Sequence, residues 1–310
     1  MPESNMTDEA WPQLDVERDS PTFAVLHLAS QMLGKIRVAH APWANHGWYV
    51  ALQPRANGLE TLPTAAGDGR TFTLVLDLCR HAIVLWVSDE SRDELPLNAG
   101  SISALHSRLI AMLDRNGLPS KFNGTPSEIA DAVPFAKDLA PRHYDRNSAD
   151  RLREALAAMM PVFEHFRAGF IGKASPVHFW WGGFDLAASR FSGRTAPPHP
   201  GGIPGLPDRI TREAYSHEEF SAGFWAGGVL PIAPFFYSYA YPEPPGFRET
   251  KVASGRFDET YTEFVLPYAD VRAAADPEGM LAQFLQSTYA AAADLVKWDR
   301  PTLERDPVAP

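Results

Sequence analysis

The run from Pro176 to Arg194, PVHFWWGGFDLAASRFSGR, combines groups that could do chemistry with rings that could bind a ligand. Two tryptophans lie beside paired glycines, which allow a ligand to approach the backbone closely. The same run supplies hydrogen-bond donors, acceptors and charges at His178, Asp185, Arg190 and Arg194. This mixture predicts a strand that forms one wall of a ligand-binding pocket.

On a strand that extends over 177–187, side chains alternate between two faces. His178 and Trp180 then share one face, whereas Trp181 and Asp185 share the other. The simpler interpretation is a central strand packed on both faces, with His178 and Asp185 hydrogen-bonded or paired in the core. Because a buried histidine or aspartate needs partners and adds nothing to packing, these two residues are the better indication of a site.

A second run, EAYSHEEFSAGFWAGG, places His217, Glu219 and Trp225 on one face if it is extended. With His178 from a neighbouring strand, His217 and Glu219 could bind a divalent metal such as zinc, iron or manganese. Without a metal, His217 could act as a general acid or base that Glu219 orients. Solvated charges on an exposed strand are the alternative.

The run APFFYSYAYPEP contains three alternating tyrosines, Tyr237, Tyr239 and Tyr241. On a strand their phenol groups line one face and form a polar aromatic wall, although tyrosine also favours exposed strands by its β propensity alone. Arg190 and Arg194 could bind a carboxylate or phosphate group of a substrate through bidentate hydrogen bonds. Either arginine could instead form a structural salt bridge.

The composition argues against several classes of protein. A net charge of −10 over 310 residues argues against a nucleic-acid binder, which needs clusters of lysine and arginine. The single cysteine, Cys79, allows no intrachain disulfide and fits a reducing cytoplasm. No apolar window is long enough to span a membrane, no export signal is recognised, and the motifs of α/β-hydrolases and P-loop NTPases are missing. We therefore expect a cytoplasmic protein without a membrane or nucleic-acid partner.

Hydrophobic periodicity predicts an α+β fold with mainly antiparallel sheets flanked by helices. The expected helices lie near 23–36, at 101–116, at 149–170 with a kink at Pro161, and at 277–296. The expected strands are 46–54, 71–79, 81–89, 177–187, 217–225, 235–241 and 261–267. Cys79 falls in one of these strands, which predicts a packing role for it.

Two halves are expected, 23–117 and 148–300, and the second carries the candidate site. The proline-punctuated segment 118–147 is a linker or clasp between them, residues 1–22 are a flexible arm, and residues 301–310 are a tail. Each half has a helix, a tryptophan-bearing strand, further strands, a Leu-Pro pair and a closing helix, which suggests a tandem duplication with pseudo-twofold symmetry. The cleft between such halves would be the natural pocket.

Four long blocks give the chain a family resemblance: HFWWGGFDLAASRFSGR, SHEEFSAGFW, FYSYAYPEP and STYAAAADLVKWDR. On these blocks the chain resembles a bacterial domain-of-unknown-function family, from about Phe23 to Arg300. The resemblance implies a cytoplasmic-type protein of a single family, and it brings no assigned reaction or catalytic residue. Function therefore has to be inferred from the residues.

Three hypotheses of function follow from these patterns. The first is a small-molecule enzyme acting on an anionic or aromatic substrate. Its candidate acids, bases or metal ligands are His178, His217, Glu219 and Asp185, and its candidate binding residues are Trp180, Trp181, Arg190, Arg194, Trp225, Tyr237, Tyr239 and Tyr241. The second is a non-catalytic small-molecule binding protein. The third is a structural protein whose aromatic surface forms a homo-oligomer interface.

Overall fold

A computed structural model describes residues 10–305 and confirms the α+β class: within these residues, seven helices accompany two six-stranded antiparallel sheets. The helices are α1 Val16–His40, α2 Ile102–Arg115, α3 Arg146–Ala168, α4 Asp208–Ala214, α5 Tyr268–Ala273, α6 Pro277–Leu295 and α7 Arg300–Leu303. The first-sheet strands are β1 Gln53–Arg55, β2 Gly58–Glu60, β3 Thr64–Ala65, β4 Thr71–Asp77, β5 Ala82–Val87 and β6 Arg92–Pro96. The second-sheet strands are β7 His178–Trp180, β8 Asp185–Thr195, β9 His217–Trp225, β10 Phe235–Tyr241, β11 Arg256–Asp258 and β12 Glu263–Pro267.

The first sheet has the order β1–β2–β4–β5–β6, with β3 paired to the start of β4. Its central strands bury leucine and isoleucine side chains, and α1 and α2 contact the sheet. The chain turns after β4, so Cys79 is exposed in the turn rather than packed inside a strand. The buried-strand prediction for Cys79 was wrong because the strand ends at Asp77, two residues earlier.

The second sheet has the order β11–β12–β10–β9–β8–β7. One face is apolar and packs against α3, α5 and α6 through side chains such as Phe220, Phe224 and Phe236. The opposite face carries the acidic, tyrosine and tryptophan side chains that alternate with them. Because side chains alternate along each strand, the same pattern that builds the core collects the polar groups on one surface.

The run 177–187 is a hairpin and not one continuous strand. Strand β7 ends at Trp180, the chain turns through 181–184, and β8 begins at Asp185. Trp180 and Asp185 are directly paired, so they lie on the same face of the sheet. The predicted alternation placed Asp185 on the other face and was wrong, because the turn reverses the chain.

The two sheets meet where Leu52 and Phe179 exchange two backbone hydrogen bonds, each 2.9 Å long. Beside them the Trp181 indole donates a hydrogen bond to the Val50 carbonyl at 2.9 Å and packs against Gly34 of α1. This contact fixes the 181–184 turn of the second half against the first half. An internal duplication stays a prediction.

Parts of the predicted arm and tail form regular structure. Helix α1 begins at Val16, inside the predicted arm, and has Asp15 as its N-cap. Residues 1–9 of that arm lie outside the described residues. Helix α7 extends into the predicted tail, and Glu304 forms a bridge with Phe170, whereas residues 306–310 lie outside the described part. Within the described residues, no helix combines the length and the apolar character needed to cross a membrane.

Candidate functional site

A cavity of about 330 Å³ lies over the polar face of the second sheet. Strands β8, β9 and β10 form its floor, and helix α1 and the loop after it contribute from the first half. The loop around 123–128 and the segment 203–215, which contains helix α4, complete the walls. The site therefore depends on segments that are far apart in the sequence.

Asp185, at the start of β8, lies beside Tyr237 on the cavity floor. The Tyr237 hydroxyl donates a hydrogen bond to Oδ2 of Asp185 at 2.5 Å. A carbon atom in the β-carbon position of Gly183 would lie 2.7 Å from Oδ1 of Asp185 and 3.9 Å from Oε2 of Glu128. A ligand atom near this position could therefore contact both carboxyl groups.

Glu128 reaches this position because the facing residue is glycine. A β-carbon on Gly182 would lie 1.9 Å from Oε1 of Glu128, so any side chain there would push the carboxyl group away. Glu128 itself has a left-handed backbone with φ of 61°, a conformation that costs free energy for a non-glycine residue and is found often at functional sites. Within residues 10–305 its carboxyl group has no hydrogen bond or ion pair.

The pKa values of the Asp185 and Glu128 carboxyl groups are both raised toward neutral pH. Burial raises the pKa of Glu128 to about 7, and the nearby Asp185 charge adds to this effect while Lys35 opposes it. Glu128 is exposed to solvent through the cavity mouth, but many protein atoms lie close to its carboxyl group, so it loses part of its hydration. Burial also raises the pKa of Asp185 to about 7, against the lowering effect of the Tyr237 hydrogen bond. Because the groups interact, they titrate as a pair, and one proton shared between them is a favourable state near pH 7.

Glu219 on β9 is a third carboxyl group of the cavity. It is 6% exposed and, within the described residues, makes no hydrogen bond or ion pair. Burial raises the pKa of Glu219 to about 8. Nearby, the hydroxyl groups of Tyr215 and Tyr239 lie 2.9 Å apart and hydrogen-bond to each other. An unpartnered carboxyl group in such a place is costly to keep unless a ligand uses it.

Lys35 of α1 provides a buried positive charge on the opposite wall. It is 5% exposed and donates a hydrogen bond to Oγ of Ser127 at 2.9 Å, and burial lowers its pKa to about 8. Gln31, one turn earlier, accepts from the Ser127 amide at 2.9 Å and donates to the Ser127 carbonyl at 2.7 Å. These bonds from one helix hold the loop that presents Glu128.

Aromatic rings form the remaining walls. Trp48 from the first half and Trp180 from β7 line the wall. On the floor, the rings of Tyr237 and Tyr239 are stacked with their centres 6.2 Å apart. His46, also on the wall, accepts a hydrogen bond from Nζ of Lys173 at 2.6 Å and donates to the Ala214 carbonyl at 2.8 Å. With one nitrogen accepting, the imidazole is neutral, and burial further lowers its pKa.

A smaller pocket of about 220 Å³ adjoins this cavity and shares Asp185, Tyr237 and Tyr239 with it. Its other walls are Gly183, Trp225, Phe235, Tyr261 and Glu263. The two pockets therefore meet at Asp185 and the tyrosines. This arrangement gives Asp185 a central place on the polar face.

The structure brings together many of the residues that the sequence pointed to. The cavity is lined by Asp185, Glu219, Trp180, Trp181, Tyr237 and Tyr239, and the adjoining pocket contains Trp225. Tyr241 lies further along the same strand face, where its hydroxyl donates to the Pro197 carbonyl at 3.0 Å. It is outside the residues that line either pocket.

His178 and His217 do not form a metal centre with Glu219. His178 is opposite Ala187 near the start of β8, whereas His217 is opposite Thr195 at its end. The His178 ring contacts Trp48, and the His217 ring contacts His46. Across residues 10–305, no group of three or more His, Cys, Asp or Glu side chains is placed to hold a metal ion. His178 packs between Trp48 and Trp180, and burial lowers its pKa to about 4, so it stays neutral. The expectation of a shared ligand set failed because the strands bring these histidines to different places on the sheet.

Arg190 and Arg194 do not face the cavity. Arg190 points to the apolar side of the sheet, where its guanidinium group lies over Phe166 and Tyr289 and donates to the Phe166 carbonyl. Arg194 is paired with Glu218 near the surface. The alternative of a structural salt bridge describes Arg194, whose partner is Glu218, but not Arg190, which forms no ion pair within residues 10–305.

A model of the family DUF5996, described as a family of unknown function, matches residues 11–305. The chain belongs to the DUF5996 family. Comparisons with curated proteins and with solved structures found no match. The family resemblance seen in the sequence blocks is thus confirmed. The residues matched by the DUF5996 model include every segment that lines the cavity.

Sequence reasoning missed Glu128 and Lys35, two cavity residues of this DUF5996 chain. Lys35 interrupts the apolar stretch MLGKI of α1, and a lysine among buried positions is a signal that could have identified it. Glu128 gave no such signal, because it lies in the irregular segment that was predicted to be a linker or clasp. Its role depends on a loop that only the tertiary fold places over the sheet.

Proposed function

We propose that the chain is an enzyme that carries out general acid–base chemistry on a small molecule bound in the 330 Å³ cavity. The observation that carries this proposal is the pair Asp185 and Glu128, which line the same cavity and each place a carboxyl oxygen within 4 Å of one point beside Gly183. Two carboxyl groups with pKa values near 7 can supply an acid and a base at the same time.

A hydrogen bond engages one oxygen of Asp185, whereas Glu128 makes none within the described residues. Tyr237 occupies Oδ2 of Asp185, so Oδ1 is the oxygen that faces the ligand. When the pair carries one proton, the ionised carboxylate accepts a proton from the substrate and the protonated partner donates one to it. The reaction class is therefore proton transfer within the substrate, or hydrolysis in which the ionised carboxylate takes a proton from water and the protonated partner gives one to the leaving group. In either case the pair ends the cycle with one proton and one negative charge, as it began.

The cavity walls indicate the kind of substrate. Trp48, Trp180 and the stacked tyrosines offer flat apolar surfaces, which suit an aromatic ring or the apolar face of a sugar. The arginines that were expected to bind an anionic group lie elsewhere, and three carboxyl groups line the cavity against Lys35 and Arg209. An uncharged or cationic substrate therefore fits the site better than an anionic one.

The test is a turnover screen in deuterium oxide. Wild-type protein is incubated with a filtered small-molecule cell extract, and mass spectrometry follows consumed compounds, new products and deuterium incorporation. We expect at least one compound to change, with a bell-shaped pH dependence centred near neutral pH. Asp185→Asn and Glu128→Gln should each lower the rate by about 100-fold or more.

Two further variants separate chemistry from folding. Gly182→Ala should lower the rate by displacing the Glu128 carboxyl group while leaving the unfolding midpoint nearly unchanged, because the displaced atoms are the end of a flexible side chain. Glu218→Gln, which removes a carboxyl group paired with Arg194 away from the cavity, should leave the rate unchanged. Turnover that survives Asp185→Asn would refute the acid–base assignment, and compounds that bind without being converted would identify a binding protein instead.

A further inference from the structure

The smaller pocket next to the acid–base pair has aromatic walls that meet at a corner. The Trp225 ring is perpendicular to the rings of Phe235 and Tyr261, at 90° and 87°, with ring centres 5.3 and 5.8 Å apart. Phe235 and Tyr261 are themselves 5.0 Å apart. A hydrogen bond of 2.8 Å from the Trp225 indole to the Gly183 carbonyl fixes the orientation of the first ring.

Two carboxyl groups lie in the same pocket. Asp185 and Glu263 both belong to its walls, and Glu263 makes no hydrogen bond or ion pair with any residue in 10–305. Burial raises the pKa of Glu263 to about 8, and the Asp185 charge adds to the effect. A positive charge placed between them would offset both contributions and favour the ionised forms.

We propose that Trp225, Phe235, Tyr261 and Glu263 form a cage for an alkylated or protonated ammonium group of a ligand. The faces of aromatic rings carry negative electrostatic potential, and all three rings line this pocket, so a cation in it can lie over a ring face, most favourably that of tryptophan. The unpartnered Glu263 supplies the compensating charge. The proposal goes beyond the acid–base function, since binding in the cage requires no reaction.

The pocket is less suited to other ligands. A carboxylate or phosphate would face two carboxyl groups and no cationic side chain among the residues that line this pocket. A neutral apolar group could pack on the rings, but it would leave Glu263 buried and without a partner. An ammonium cation satisfies the rings and the carboxyl group together.

Isothermal titration calorimetry with choline chloride tests the cage, and 3,3-dimethylbutan-1-ol, which replaces the nitrogen of choline by carbon, is the neutral control. Both are measured at the same ionic strength on the full chain. We expect choline to bind at millimolar or lower concentration and the alcohol to bind more than tenfold more weakly. Glu263→Gln and Trp225→Leu should each weaken choline binding by about tenfold, and Trp225→Phe should weaken it less, because it retains an aromatic face.

The matched control is Glu218→Gln, which removes a carboxyl group outside both pockets and should leave choline affinity unchanged. Equal affinity for choline and for the alcohol would overturn the proposal, as would absence of choline binding to the wild type. Loss of binding in Glu219→Gln but not in Glu263→Gln would place the cation in the larger cavity and also overturn it. Since the readout is binding heat, these outcomes are separate from success or failure of the turnover screen.

Discussion

Glu219→Gln should make the protein more stable at alkaline pH and leave its stability almost unchanged in acid. In the folded protein burial raises the pKa of Glu219 from 4.5 to about 8, whereas the unfolded chain keeps the ordinary value. Between these values the folded state binds the proton and the unfolded state does not, so the wild type loses stability as pH rises through this window. At about 1.4 kcal/mol per pKa unit, and allowing for screening by solvent in the cavity, we expect the variant to gain about 3 kcal/mol at pH 9.

Denaturant unfolding of both proteins at pH 4.5 and pH 9 measures this gain. At pH 4.5 the difference should be below about 0.5 kcal/mol, because the wild-type carboxyl group is protonated and resembles the amide. Glu218→Gln, on the neighbouring position of β9, should show no gain at pH 9, since it breaks the Arg194 ion pair. An equal gain at both pH values would mean that Glu219 is not held protonated. A confirmed gain would show that the chain retains a carboxyl group that lowers its stability, as functional residues often do.

Gly34→Ala should have a comparably large effect in the opposite direction. A β-carbon on Gly34 would lie 2.0 Å from Nε1 of Trp181, inside a ring that is 5% exposed and fixed by its hydrogen bond to Val50. The gain in helix propensity from glycine to alanine is at most about 1 kcal/mol, whereas overpacking a rigid buried ring costs about 3 kcal/mol. We therefore expect the variant to lose about 2 kcal/mol of unfolding free energy or more.

A double-mutant cycle with Trp181→Leu identifies the cause. Trp181→Leu removes the atoms that the new methyl group would meet, so Gly34→Ala should cost little in that background, although Trp181→Leu is itself destabilising. Additive effects of the two changes would show that the clash with Trp181 is not the reason. Because Trp181 precedes Gly182 and Gly183, Gly34→Ala should also disturb the position of Glu128 relative to Asp185.

Local patterns were sufficient for several elements of the fold, but the strand predicted at 46–54 was wrong. A 3-10 turn at Asn45–Gly47, in which His46 has a left-handed backbone, begins that segment, and only its end belongs to β1. Strands 217–225 and 235–241 were predicted from alternation and occur at those bounds. Each end of helices α2 and α6 lies within one residue of its predicted limit. These segments have a clear period and strong end signals, such as the Ser101 side chain that caps α2. The hairpin after Trp180 was missed because its turn has the sequence WGGF, whose aromatic residues look like a continuing strand.

Side-chain order along single segments was enough to predict the α+β class, the family resemblance, and the residues that share a strand face with Glu219 and with Tyr237, because these depend only on local pattern. It could not determine which segments meet. Strand order and the loops that cross from one half to the other decide this. They place Asp185 near Glu128, bury Lys35, and separate His178 from His217. Those contacts join residues that are far apart in the chain. They cannot be predicted from a local period or propensity, because neither depends on which distant residues become neighbours when the chain folds.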